Sequence, residues 1–267
     1  MKIVELSVWD LGLAAALVLA LAVATMLGRF GVGRSLIVAA ARMTIQLSLI
    51  GLVLRVLFDH PELLWVGLMS LVMLLVAARE VVSRQNRRLR GWWSFWIGAG
   101  SMFLSSFVLA IFALAVVVQS DPWYDPRYAI PILGMLLGNT MNAIALSLDR
   151  LTESAWDQRE VIEQRLMLGQ DRREAMTRIV RGAVRGAFIP VINAMAVAGI
   201  VSLPGMMTGQ ILAGNSPTDA VKYQILIFFL IAAGGGFGML LAVWLGRGRL
   251  FDSRERLRLD RLRESRD

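Results

Sequence analysis

The chain has 267 residues, 57% of them hydrophobic, at a mean hydropathy of +0.61, with no cysteine and a formal net charge of +8. Without cysteine there is no disulfide and no thiolate metal site. Several apolar runs reach the roughly 20 residues that cross ~30 Å of hydrocarbon, which excludes an ordinary soluble domain and predicts an all-α integral membrane protein with no cofactor.

The first apolar run, residues 8–27, lacks a basic leader and a small-residue cleavage site, because Lys2 is followed by Glu5 and Asp10. It reads as a retained helix, not a signal. The link after it, GRFGVGRS from Gly28 to Ser35, nearly spells a phosphate-binding loop. Arg34 replaces the lysine and no strand precedes it, so it is read as a flexible basic link. Further spans are expected at residues 35–58, 63–78, 92–118, 129–148, 186–203 and 220–245. The fourth opens on Trp92, Trp93, Phe95 and Trp96, where an interfacial aromatic belt would stand.

Basic residues orient these seven spans. The links 28–34, 79–90 and 149–185 and the tail 247–267 together hold 23 of the 28 Lys and Arg. That asymmetry predicts seven transmembrane helices with the N-terminus outside and the C-terminus in the cytoplasm. The basicity is then a topology signal, and no nucleic-acid partner is expected. Residues 1–246 are expected to form the polytopic domain. Residues 247–267 are expected to be a charged cytoplasmic tail, a solvated helix near anionic membrane lipid.

The long polar interruption, residues 149–185, separates spans five and six. Leu166, Met167, Leu168, Ala175, Met176, Ile179 and Val180 recur at roughly helical spacing, which predicts a helix–turn–helix offering a narrow apolar stripe to a partner. Gly169 is the natural turning point.

Polar groups inside the spans are few, and apart from Asp10 near one end none is a carboxylate. Proton- and cation-coupled carriers usually place carboxylates there, so any transport is expected to be driven from outside this chain. Arg42 and Gln46 share a face of span two, either as a structural pair or as part of a pathway. In span five, Gly134 and Gly138 permit close helix contact, and Gly234, Gly235, Gly236 and Gly238 in span seven suggest another close contact or a flexible point. Asn139 and Asn142 on the same helix must find partners in the bundle or on a polar cavity. Residues 204–217, PGMMTGQILAGNSP, look too apolar for an ordinary loop and too broken by glycine for a helix. Met206 and Met207 there offer either packing or soft thioether ligands, with Gln210 beside them. His60, with Asp59 and Glu62, is an ordinary outer turn. One histidine, no cysteine and no intramembrane carboxylate leave little for a membrane-embedded enzyme.

ARMTIQLSLIGL (residues 41–52), PILGMLLGNTMNAIALSLDRL (131–151) and above all VSLPGMMTGQILAGNSPTDAVKYQI (201–225) together resemble the bacterial FetB/YbbM-type permeases, the membrane half of an iron-export ABC transporter. The resemblance implies a separate ATPase subunit as partner, two copies of each chain, a bacterial inner-membrane location and iron as cargo. Related plant proteins are linked with aluminium tolerance and nucleotide-sugar transport, so a nucleotide sugar or another anion is the alternative cargo. A non-transporting scaffold is the other alternative. It further implies that the polar stretch docks in the ATPase. Glu163 to Gly169 keeps the Glu and Gly spacing of the importer motif E-A-A-x-x-x-G, and Ile179 falls ten residues after Gly169. Gln164 and Arg165 replace its alanines, and no Leu-Pro follows. The expected docking residues are Glu163, Leu166, Leu168, Gly169 and Ile179. The expected pathway residues are Arg42, Gln46, Asn139, Asn142, Met206, Met207 and Gln210, with the metal ligands left open.

Overall fold

The computed structural model describes residues 7–263. Lys2 and Glu5, used above in reading the first span, lie outside the described residues. Among the described residues the secondary structure is helical, with isolated β-bridges but no strand. Seven helices are long and apolar enough to cross a membrane. They are α1 (Val8–Leu27), α2 (Gly33–Asp59), α3 (Leu63–Ser83), α4 (Trp93–Val118), α5 (Pro126–Asp157), α7 (Arg172–Val197) and α9 (Pro217–Arg249). Two shorter helices, α6 (Arg159–Met167) and α8 (Gly205–Leu212), complete the set.

The described residues form two compact units. One is the α1–α2 hairpin with Leu212–Gly214, and the other is Leu63–Ile211 with the chain from Asn215 onward. In the hairpin, Ser7 and Asp10 cap α1 reciprocally: Ser7 N–H donates to Asp10 Oδ2 at 2.8 Å, and Asp10 N–H donates to Ser7 Oγ at 3.3 Å. The only acidic residue of the first span is thus a helix cap at its boundary. Gly33 lets α2 close against α1, since a Cβ there would stand 2.6 Å from both the Ala22 carbonyl oxygen and Met26 Cγ.

The larger unit is built on α5 and α9. Ile132, Leu136, Thr140, Ile144, Leu148 and Leu151 form the buried face of α5. The glycines of α9 let the two helices approach, because a Cβ at Gly238 would lie 2.6 Å from Thr140 Cγ2 and one at Gly246 would lie 2.9 Å from Leu148 Cδ2. Close approach through small residues is how helices gain packing energy where lipid removes the hydrophobic drive. The glycines expected to do this on α5 contribute less: Gly134 faces only the flexible Met73 side chain, and Gly138 has open space. Helix α4 widens into underwound π-type turns at Phe103–Phe107 and Ala113–Val118, and Ser106 Oγ there donates to Thr140 Oγ1 at 3.2 Å.

Three expectations about local structure are corrected. Spans five and six, expected at 129–148 and 186–203, both reach into the polar interruption, since α5 runs on to Asp157 and α7 is unbroken from Arg172 to Val197. Side-chain polarity marks where hydrocarbon ends, whereas backbone hydrogen bonding carries the helix past it. Second, the glycine-broken segment contains a real helix, α8. Thr208 N–H bonds the Pro204 carbonyl at 3.0 Å to start it, and Gly214 at φ +95° follows its end; one internal glycine costs only about 1 kcal/mol. Third, the tail is not a solvated helix. Beyond α9, Leu250 and Phe251 are buried, and only Leu259–Arg261 forms a helical turn. The segment folds back on the α3–α4 loop: Arg90 N–H donates to the Arg261 carbonyl at 2.7 Å, Arg263 N–H donates to the Arg88 carbonyl at 2.9 Å, and Leu262 is buried beside Leu89. Apolar side chains spaced among the arginines anchor it.

Candidate functional site

The α6–α7 turn is set by local capping. Gly169 takes φ +88°, which an L side chain adopts only with strain. Asp171 then accepts from the N–H groups of Arg173 and Glu174 at 2.8 and 2.7 Å, starting α7. A single residue, Gln158, separates α5 from α6. The apolar stripe read from the sequence divides here. Ala175, Met176 and Ile179 pack inward, Ile179 being 5% exposed, while Met167 and Leu168 stand out at 78% and 83% exposure. Of the expected docking residues, Leu168 and Gly169 are on the exposed turn, Glu163 is exposed on α6, Leu166 is half-buried and Ile179 belongs to the core. The Arg150 guanidinium of α5 occupies the place where a Cβ on Gly186 of α7 would sit.

Asn139 and Asn142 both line a cavity of about 140 Å³ among α5, α7 and α9, walled by Phe188, Pro190 and Met239. Asn139 Nδ2 donates to its own helix at the Met135 carbonyl, 2.8 Å away. Asn142 Oδ1 accepts from the Arg84 guanidinium, 58 residues earlier in the chain. Arg84 is the polar residue that sequence reasoning missed, because it was counted only as loop charge. No local pattern could have paired it with Asn142.

At the other end of α5 and α9 a larger cavity of about 430 Å³ is lined by Met206, Gln210, Arg127, Tyr128, Asp219 and Tyr223, among others. Gln210 Oε1 is buried without a hydrogen-bond partner. An unpaired buried amide oxygen costs about 1–3 kcal/mol, so a donor from a bound molecule would be welcome there. Met207 is placed differently. Its N–H donates to Gln224 Oε1 at 3.3 Å, and it is not among the residues lining the cavity, so only one of the two thioethers faces it. Along α5 the linings of the two cavities lie a turn apart: Met135 lines the larger, and its carbonyl holds Asn139, which lines the smaller.

Arg42 and Gln46 stand a turn apart on α2, both exposed, in the hairpin unit. Near them Thr44 Oγ1 and Ser48 Oγ donate back to the Ala40 and Thr44 carbonyls at 3.0 and 2.9 Å, so these hydroxyls are satisfied within the helix. Among the described residues no group of three or more His, Cys, Asp or Glu side chains could hold a metal ion.

The sequence matches the family model described as "Uncharacterised protein family (UPF0014)" over residues 8–251. It is 40% identical over 199 residues to UPF0014 membrane protein slr1647 of Synechocystis sp., covering 72% of this chain and 74% of that one. It is 35% identical over 230 residues to UPF0014 membrane protein YjkA of Bacillus subtilis, covering 85% and 89%. It is 31% identical over 231 residues to the "Probable iron export permease protein FetB" of Escherichia coli, covering 85% of each. No solved structure matches the chain.

Proposed function

We propose, from the premise that this chain belongs to the UPF0014 family of membrane proteins, that it is the permease subunit of an ABC-type exporter. In this reading residues 1–246 form the permease domain, and two copies assemble with two ATPase subunits in a bacterial inner membrane. The N-terminus is outside, and the basic end of the bundle faces the cytoplasm. The observation that carries the reading is the α6–α7 turn: two large apolar side chains, Met167 and Leu168, are displayed on a capped turn that continues directly into α7 and, through α6 and the single residue Gln158, into α5. A partner gripping that turn pulls on α5 and α7 together, which is how closure of a motor would open a pathway. Glu163, Leu168 and Gly169 are then docking residues, and Leu166 and Ile179 support them from beneath. Asn139 and Asn142, with Met206 and Gln210 beyond them, form the pathway along α5 and α9. Arg42 and Gln46 on α2, and Met207, are its further candidates.

The cargo proposed is iron leaving the cytoplasm, supported by the name of the Escherichia coli relative. A second reading keeps the permease and changes the cargo to a nucleotide sugar or another anion. It is favoured by the donor set, since the cavities are lined by amides, hydroxyls and guanidinium rather than by a cluster of metal ligands. The test is to purify the chain with the ATPase encoded beside it and to assay flux in inverted vesicles with ferrous iron and with a nucleotide sugar. Stable co-purification and ATP-dependent flux of one cargo are expected. Failure to assemble with any ATPase, or uphill flux by the chain alone, overturns the reading.

A further inference from the structure

A third cavity, of about 640 Å³, lies where α4 begins and α9 ends, and it plays no part in the pathway above. Three guanidiniums, Arg90, Arg249 and Arg261, share its lining with three indoles, Trp92, Trp93 and Trp96. The arginines come from three separated places: the α3–α4 loop, the last turn of α9, and the folded-back tail. The fold therefore assembles like charges that would otherwise repel. Arg249 lies over the Trp93 ring with its guanidinium carbon 4.2 Å from the centroid, and its Nε is buried without a hydrogen-bond partner. Arg261 is held by the Arg249 and Phe251 carbonyls at 2.9 and 3.0 Å.

None of the three arginines forms an ion pair with a carboxylate among the described residues. The nearby acids are engaged elsewhere: Asp252 pairs with Arg256 at 2.8 Å, and Asp260 pairs with Arg258 at 2.8 Å. Among the described residues the cleft is thus cationic and unneutralised, its indoles are largely exposed, and two spanning helices terminate at it. Tryptophan at this level sits among headgroups, and basic pockets at helix ends take anionic lipid headgroups.

We infer that this cleft is a binding site for one anionic phospholipid, whose phosphate meets Arg90, Arg249 and Arg261 and whose acyl chains run beside Trp92 and Trp96. The occupant joins the α3–α4 loop, α9 and the tail through one shared counter-charge. A phosphate fits three converging guanidiniums because each presents planar paired donors, and an acyl-bearing molecule alone also satisfies the exposed indoles.

The test uses the full chain purified in detergent and observed by native mass spectrometry after addition of phosphatidylglycerol, phosphatidylcholine or inorganic phosphate. One phosphatidylglycerol per chain is expected to be retained, at least tenfold more tightly than phosphatidylcholine, with inorganic phosphate not competing at equal concentration. Arg249→Gln risks the fold through its stacking on Trp93, so the decisive variants are Arg90→Gln and Trp96→Ala, both at exposed side chains. Each should lower retention about tenfold or more with an unchanged melting curve. Equal retention of the two lipids, displacement by free phosphate, or wild-type retention in both variants overturns the inference.

Discussion

Arg84, one residue past the end of α3, donates its guanidinium to the Oδ1 of Asn142 in the middle of α5. The amide oxygen is thereby occupied, so a cargo in the adjoining cavity would meet Asn142 through its Nδ2 donors. Asn139→Ala combined with Asn142→Ala is expected to abolish transport with expression intact. A double-mutant cycle between Arg84→Met and Asn142→Ala should give a coupling of roughly 1 kcal/mol, modest because both residues are exposed. Unchanged flux in the Asn double mutant removes the pair from the pathway.

Glycine substitutions along one helix pair should differ in sign. At Gly238 a Cβ would stand 2.6 Å from Thr140 Cγ2 and 2.7 Å from Ser105 Oγ. Gly238→Ala is therefore expected to destabilise by about 1–3 kcal/mol. Gly138→Ala meets nothing within 4 Å and should be neutral or slightly stabilising, by up to about 1 kcal/mol of helix propensity. Thermal unfolding in detergent distinguishes the two, and equal effects would show that the α5–α9 approach is looser than described.

The two halves of the 149–185 stripe should separate in function. Met167→Asp with Leu168→Asp changes only exposed side chains, so it should leave the melting temperature unchanged and abolish ATPase co-purification. Ile179→Ala removes a buried side chain and should cost about 2–4 kcal/mol in stability. Wild-type co-purification in the double aspartate variant places the partner elsewhere.

Acid should loosen the folded-back tail. Backbone and guanidinium hydrogen bonds from Arg256 hold Asp252 down to about 2, and Arg258 likewise holds Asp260 below the ordinary carboxylate range. Both groups have folded values below their unfolded ones. Their contribution is therefore fully present above about pH 4, the unfolded carboxylate value, and is lost as the pH falls from there toward 2. Protease cleavage in the 250–263 segment should stay constant from pH 8 to 5 and rise below 4, and Asp252→Asn combined with Asp260→Asn should remove that acid step.

The seven spans were legible because hydropathy over 18 or more residues needs no tertiary information, and Gly169 was legible because a turn demands its φ. The ends of α5 and α7 were not, since a helix continues into water wherever its side chains tolerate it. Nor was the tail, whose arginines read as solvated charge. Only the folded chain shows Leu250, Phe251 and Leu262 docking between them. In the candidate site the Asn pair was found from its spacing. Its partner Arg84 was not, because the bond depends on how α3 and α5 lie side by side. Helix-contact glycines are expected on both α5 and α9; those of α9 make the close approach, because the facing side chain decides whether a missing Cβ matters.

The chamber beside Asn139 and the one beside Gln210 are lined along α5 by residues a single helical turn apart, Asn139 and Met135. A screw displacement of α5 past α9 by about one pitch, ~5.4 Å, would carry a residue from the level of one chamber to that of the other. In the permease proposed above, the stroke required of a partner at the far end of α5 is then no more than about one turn, with Thr140 and Leu148 moving along the glycine seam of α9.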